Sequence, residues 1–223
     1  MGFWASLRDL LEPKPLFCQL CEGREQLNGL PICESCLTGL PLCWEAFTAA
    51  GFACWSLAPY QGRMRYLLRA LKYDGAYAVG LGLGRLAGLA LRESVAAQKV
   101  HFVLPVPLHR ERLMQRGFNQ AAVLADGILR EWRRPLLSGC ERQRSTRPLY
   151  GLSGTERRQL TNVFSLVPNQ PLRGRHVLIV DDILTTGSTF RQVAELVHSR
   201  GGRPMGVFAA ISPRRGDSSA EKL

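Results

Sequence analysis

The sequence predicts an α/β domain with a mostly parallel sheet and helices on both of its faces, preceded by a small metal-stapled module. Two observations carry this. Six of the seven cysteines fall before position 55, and residues 13–50 are also dense in Pro and Gly. Such a stretch suits a loop region held by a metal rather than by a core of its own. From about Phe52 the texture changes to short apolar runs alternating with amphipathic ones. Strands that alternate with helices make a parallel sheet covered on both sides. The expected division is a cysteine module over 13–50, the α/β domain over 51–212 and a polar, disordered tail over 213–223.

The elements follow in order. Gly2 to Leu11 could form a short amphipathic helix. Phe52–Tyr60 reads as a strand, and Arg63–Lys72 as a short helix stopped at Tyr73-Asp74-Gly75. Tyr77–Ala97 has a helical pattern, weakened by Gly80, Gly82, Gly84 and Gly88. His101–Val106 is a buried strand. Phe118–Trp132 sets Phe118, Ala121, Ala125 and Ile128 on one helical face. Pro135–Cys140 is a candidate strand, Ser153–Phe164 a basic helix and His176–Asp182 a buried strand. Ser188–Arg200 turns Phe190, Val193, Ala194 and Val197 inward and stops at Gly201-Gly202. Met205–Ile211 is the last strand.

Hydrophobic residues make up 46% and charged residues 21%, which excludes disorder as a description of the whole chain. The net charge of +11, from 29 Lys+Arg against 18 Asp+Glu, favours polyanions: phosphorylated metabolites, nucleic acid or an anionic surface. Most of the cations are Arg, whose planar fork matches phosphate. No run approaches the ~20 apolar residues of a membrane span. Met1 to Pro15 lacks the basic start and apolar run of a secretory signal. A cytoplasmic protein is expected.

The decisive segment is Val177-Leu178-Ile179-Val180-Asp181-Asp182-Ile183-Leu184-Thr185-Thr186-Gly187-Ser188-Thr189. A strand buried on both faces leads into two carboxylates, a hydroxyl-rich loop and an amphipathic helix. A tight loop opening a helix presents free N–H groups at the positive end of the helix dipole. Gly187 lets the backbone approach an anion closely, and Thr185, Thr186, Ser188 and Thr189 add hydroxyl donors. Asp181 and Asp182 could accept hydrogen bonds from a cis-diol, or hold Mg²⁺ directly or through water. A diol and a phosphate one sugar apart describe a ribose 5-phosphate. A merely capped strand–turn–helix would explain the hydroxyls but not two carboxylates at the crowded end of a buried strand.

A second element supports the first. Leu104-Pro105-Val106-Pro107 ends a strand and leads into His109-Arg110-Glu111-Arg112. Pro105 and Arg110 are candidates for a pyrophosphate contact; the plain alternative is a turn with solvated arginines. In the module, Cys18-x-x-Cys21 and Cys33-x-x-Cys36 are two knuckles whose four thiolates can meet tetrahedrally on a structural Zn²⁺ at ~2.3 Å; two redox Cys-x-x-Cys pairs are the alternative, but neither opens a helix in a βαβ pattern. Cys43, Cys54 and Cys140 read as small buried hydrophobes.

The strand–Asp-Asp–Thr-Thr-Gly-Ser-Thr segment is similar to the phosphoribosyl pyrophosphate motif of type I phosphoribosyltransferases. That likeness implies Asp181 and Asp182 at the ribose hydroxyls and Thr185 to Thr189 around the 5-phosphate. Taken with the knuckles, Leu71-Lys72-Tyr73-Asp74-Gly75, Leu104-Pro105-Val106-Pro107, Gln115-Arg116-Gly117-Phe118-Asn119-Gln120 and the Arg-rich stretch from Arg142 to Arg158, the chain resembles the ComF family of DNA-uptake competence proteins. Departures exist: Leu149 stands where the family often has a polar Gln, and Gln159 where it often has Asn.

The resemblance implies phosphoribosyl pyrophosphate with Mg²⁺ and single-stranded DNA as ligands. It implies other DNA-uptake proteins, such as a helicase, as partners. Active phosphoribosyl transfer, with Asp181 and Asp182 as catalytic carboxylates, and a ligand-sensing regulator are the alternatives. Arg116, with Asn119 and Gln120, could reach a phosphate; equally, Phe118 could pack and Asn119 cap a helix. Arg116, Arg142, Arg144, Arg147, Arg157 and Arg158 could face DNA or pyrophosphate, or form a solvated face.

Overall fold

The structure, a computed structural model, describes residues 17–23, 31–143, 163–166 and 172–212. The sheet has five strands, β1 (Glu45–Ala49), β2 (Phe52–Ser56), β3 (Val100–Pro105), β6 (His176–Leu184) and β7 (Arg203–Ile211), in the order β1-β2-β7-β6-β3. A separate two-stranded antiparallel ribbon pairs β4 (Cys140–Arg142) with β5 (Phe164–Leu166). All pairs of the main sheet are parallel except β1 with β2. The α/β architecture read from the alternating texture is therefore the observed one.

Two strands depart from the sequence reading. β1 falls inside the span assigned to the cysteine module, yet it forms the sheet edge through a tight turn at Ala50-Gly51. Its Phe47 packs on the sheet against Phe208, at a ring separation of 6.3 Å. The cysteine region is not walled off either. Cys18, Ile32, Cys33 and Cys36 share one apolar cluster with Trp55, Leu57 and Met64 of the main domain. The expected strand 135–140 contributes only a bridge beside Val103, and Cys140 instead opens β4. Residues 2–11, most of the expected helix 153–164 and the tail 213–223 lie outside the described residues; Phe164 itself is strand.

The helices are α1 (Glu34–Thr38), α2 (Gly62–Tyr73), α3 (Tyr77–Glu93), α4 (Arg110–Arg116), α5 (Gln120–Glu131) and α6 (Ser188–Ser199). α2, α3 and α5 cover one face of the sheet, against Leu178 and Val180. α6 and the ribbon cover the other, where Phe190, Val193 and Val197 meet Val177 and Ile179. The glycines of α3, which weaken it in isolation, serve contact. A methyl on Gly84 would collide with the Leu124 carbonyl oxygen, and one on Gly127 with that of Leu81. The two helices touch backbone to backbone, and tertiary packing outweighs propensity.

Candidate functional site

The strand ends make the site. β3 stops at Pro105, paired with Val180, and the Val106 N–H gives one more bond to the Val180 carbonyl, at 2.9 Å. Pro107 then has no N–H to offer. β6 runs on to Leu184 beside Ile211 of β7. Asp181 and Asp182 thus stand on an overhang that β3 no longer flanks. Side chains alternate across a strand. Asp182 therefore falls on the face of Val180 with α2, and Asp181 on the face of Ile179 with the ribbon.

A cleft of about 250 Å³ opens there. Its lining includes Asp181 and Asp182, Thr185 and Thr189 of the following loop, and four cations: Lys72, Arg112, Arg116 and Arg142. Lys72, in the last turn of α2, reaches Asp182 with Nζ 2.9 Å from Oδ2. Asp182 is buried, so this partner is what makes its burial tolerable. Asp181 receives the backbone N–H of Asp182 on Oδ1 at 2.9 Å. Burial raises the Asp181 carboxyl to about 7, and the neighbouring charge of Asp182 adds to the rise; that N–H bond, Lys72 and Arg142 oppose it. Part of Asp181 still faces the cleft. On the opposite wall, burial lowers the Arg142 guanidinium, the charge of Arg112 pushes the same way, and Asp181 works against both.

The loop after β6 opens α6. Gly187 sits in the left-handed region at φ 74°, and its carbonyl accepts from Arg191 N–H at 2.8 Å. The Thr186 hydroxyl donates to Ser188 Oγ at 3.1 Å and accepts from the Ser188 N–H at 3.4 Å. Thr185 and Thr189 line the cleft, while Thr186, Gly187 and Ser188 shape the turn between them.

The second element is displaced from its expected position by two residues. Pro105 and Arg110 do not line the cleft; Pro107, Leu108 and Arg112 do. The reason is helical geometry. α4 begins at Arg110, and Arg112 and Arg116 are one turn apart on a common face that Arg110 does not share. Arg116 donates to Gln120 Oε1 at 3.0 Å and lies 5.5 Å from the Tyr73 ring centroid. Asn119 caps α5 by accepting from the Ala121 N–H at 3.1 Å, and its amide donates to the Val106 carbonyl at 2.9 Å. It therefore ties the loop after β3 to α5. Phe118 packs edge-on against Tyr77. In this segment Asn119 and Phe118 are structural, while Arg116 and the buried Gln120 line the cleft.

Of the six arginines considered for DNA, Arg116 and Arg142 belong to this cleft. Arg144, Arg147, Arg157 and Arg158 lie outside the described residues. Sequence reasoning did not single out Lys72 as a lining residue, and it took Arg112 only as part of the His109–Arg112 run. The four-residue spacing of Arg112 and Arg116 was a usable signal; the reach of Lys72 to Asp182, over a sequence separation of more than a hundred residues, had none.

The four knuckle thiols come together, with all four Sγ atoms within 4.8 Å of one another. Cys21 and Cys33 Sγ are 3.7 Å apart, close to the ~3.8 Å edge of a tetrahedron with ~2.3 Å Zn–S bonds. Burial would raise Cys18, but N–H donors from Cys33 and Leu20 overcome it and bring the thiol down to about 6. This cluster could hold zinc, with no protein position left open for a substrate. Cys54 is buried and raised to about 12 by that burial. Cys140 is partly buried, whereas Cys43, expected inside, is exposed. Among the described residues no helix is long and apolar enough to cross a membrane.

Known proteins resemble this chain in sequence and in fold. The phosphoribosyl transferase domain model matches residues 137–222. Competence protein F of Haemophilus influenzae is 31% identical over 198 residues, covering 86% of this chain and 82% of that protein. The DNA utilization protein YhgH of Escherichia coli O157:H7 is 29% identical over 222 residues, covering 87% and 96%. Among solved structures, glutamine phosphoribosylpyrophosphate amidotransferase from B. subtilis aligns with a TM-score of 0.42 at 20% identity, over 60% of this chain and 27% of that one. An identity of 31% sustained along most of both sequences, with knuckles and Asp-Asp loop in one chain, identifies it: the chain belongs to the ComF family of competence proteins, on a phosphoribosyltransferase-type α/β fold.

Proposed function

We propose that this chain is a phosphoribosyl pyrophosphate-binding protein of DNA uptake, with one structural zinc. The carrying observation is the overhang of β6, where two carboxylates and a hydroxyl loop meet four cations in one cleft. Asp181 and Asp182 accept from the ribose hydroxyls. Thr185, Thr189 and the N–H groups of the loop take the 5-phosphate. Lys72, Arg112, Arg116 and Arg142 face the pyrophosphate, whose oxygens suit charge-assisted bonds. The carboxylate oxygens of Asp181 and Asp182 fit Mg²⁺, which takes oxygen ligands and keeps several waters; Lys72 already occupies one of those oxygens and must share it. Bound there, Mg²⁺ would neutralise pyrophosphate charge.

The relatives' names, competence and DNA utilization, support the role in DNA uptake. Single-stranded DNA is the second ligand in this reading, consistent with the +11 charge, and a helicase of the uptake machinery is the partner in mind. The cytoplasm is the proposed compartment, since four thiols free to bind metal require a reducing one. Titration calorimetry with phosphoribosyl pyrophosphate, with and without Mg²⁺, tests the core of the proposal. Saturable binding that ribose 5-phosphate reproduces only weakly is expected. No heat and no protection from thermal unfolding at millimolar ligand would refute it.

A further inference from the structure

The opposite end of the sheet carries a second charged surface. Strands β3, β6 and β7 start level with one another, with Val100 paired to His176 and His176 to Arg203. The turns around these starts hold Lys99, Arg133, Arg134, Arg173, Arg175, Arg200 and Arg203, and residues 97–101, 132–136, 173–176 and 198–203 contain no acid. Six of the seven cations are exposed, and Arg134 is partly so. Among the described residues none of them has a carboxylate partner, unlike Lys72, Arg85 or Arg130.

They form one surface. The Gly174 N–H donates to the Gly201 carbonyl and the Arg203 N–H to the Arg175 carbonyl, both at 2.8 Å. The Arg134 guanidinium is held across the start of β3, donating to the Val100 carbonyl at 3.1 Å and to Gln98 Oε1 at 2.9 Å, and stacks 4.2 Å over Trp132. The His101 and His176 rings lie parallel between these groups, and the His176 N–H donates to His101 Nδ1 at 3.1 Å. Burial lowers His176, and the charges of Arg203, His101 and Lys99 add to that shift. Helix carboxyl ends offset Arg200 after α6 and Arg133 after α5. They do not account for Lys99, Arg173, Arg175 and Arg203. These stand at the starts of neighbouring strands set ~4.8 Å apart, as an uncompensated row across the sheet.

We infer that this amino-end surface is where the chain holds the phosphate backbone of single-stranded DNA, at the opposite end of the sheet from the cleft proposed for phosphoribosyl pyrophosphate, the phosphoribosyl donor. The inference rests on the DNA reading above for the identity of the polymer, but not on the cleft. A shallow row of exposed Arg and Lys suits a sequence-tolerant backbone contact. It lacks the exposed aromatic platforms that base stacking would need, since Trp132 is buried.

The test uses the full chain and a fluorescent oligothymidylate. Fluorescence anisotropy across a salt series should give a wild-type log–log slope that the triple variant K99Q/R175Q/R203Q flattens by about 2, at ~0.7 for each phosphate no longer neutralised, with affinity down about tenfold or more. Phosphoribosyl pyrophosphate titrated into the same variant should bind as in wild type, which also shows that the variant is folded. If the triple variant binds the oligonucleotide with wild-type affinity and slope, the inference is overturned. It is equally overturned if the variant loses only its adhesion to vesicles with about 30% anionic lipid and keeps the oligonucleotide, because the surface is then a membrane contact. Failure of the wild type to bind phosphoribosyl pyrophosphate would strike the cleft reading and leave this one standing.

Discussion

The two ends of the same three strands have opposite designs. At the carboxyl end β6 outruns β3, and the resulting notch brings acids and cations together around a concave space. At the amino end the strands start flush, no notch forms, and cations alone crowd a shallow surface. Strand stagger thus decides whether charge gathers inside a cleft or spreads over a face. A cleft with both signs can grip a small ligand bearing a diol and phosphates. A one-signed face can hold a polymer but cannot discriminate among its monomers.

The strongest way to break the contrast is D181N/D182N. Each charge-assisted bond removed is worth ~1.5–3 kcal/mol, so donor affinity should fall by about a hundredfold or more. Oligothymidylate binding should stay within twofold, about the scatter of ~0.4 kcal/mol. Calorimetry and anisotropy on one preparation decide it, and a parallel loss of both ligands would erase the distinction between the ends. Removing the metal should act on neither end selectively. C36S should reduce zinc from one per chain to none by elemental analysis. It should also lower stability by about 2–4 kcal/mol, read as a drop of ~4–15 °C in Tm. The cause is that the cysteines share their apolar cluster with the main domain.

A finer cut is K72M. It leaves the buried Asp182 without its partner and removes one cation from the cleft. Donor affinity should fall about tenfold, with the DNA salt slope unchanged. The smallest effect concerns pH. The folded Asp181 is raised to about 7 from its usual value of 3.8. Its contribution to stability is therefore fully present below about pH 4 and lost as pH rises through 7. Wild type should lose on the order of 1–2 kcal/mol relative to D181N between pH 5 and pH 6.5, seen as a narrowing gap or a reversal in Tm. Curves that stay parallel over that range would show that Asp181 is already ionised.

Much of this was legible in the sequence. The apolar run Val177 to Val180 with Asp181, Asp182 and the Thr-rich loop marked both an interior strand and the end where the cleft lies, because burial on two faces leaves few alternatives to a β-strand. What escaped was what needs a partner distant in the chain. β1 has a weak pattern, and only pairing with β2 makes it a strand. Cys43 is a small residue whose burial depends on whether something covers it, and here nothing among the described residues does. Arg112 rather than Arg110 lines the cleft because the turn after β3 becomes helical, which rotates the lining face by two positions. The amino-end surface was invisible for the same reason: its seven cations come from four separate turns.

The contact of Gly84 with Gly127 reaches further than packing. α5 begins at Gln120, capped by Asn119; the two roof the cleft, and Asn119 anchors the loop after β3. Its distance from α3 is set by two missing methyl groups, with no slack left between the backbones. A single alanine at either glycine has to wedge the helices apart, and the roof shifts with α5. These glycines therefore act as a gauge for the aperture of the cleft, from positions that do not line it. An alanine there should show itself as a change in the width of the cleft before it shows itself as a loss of fold.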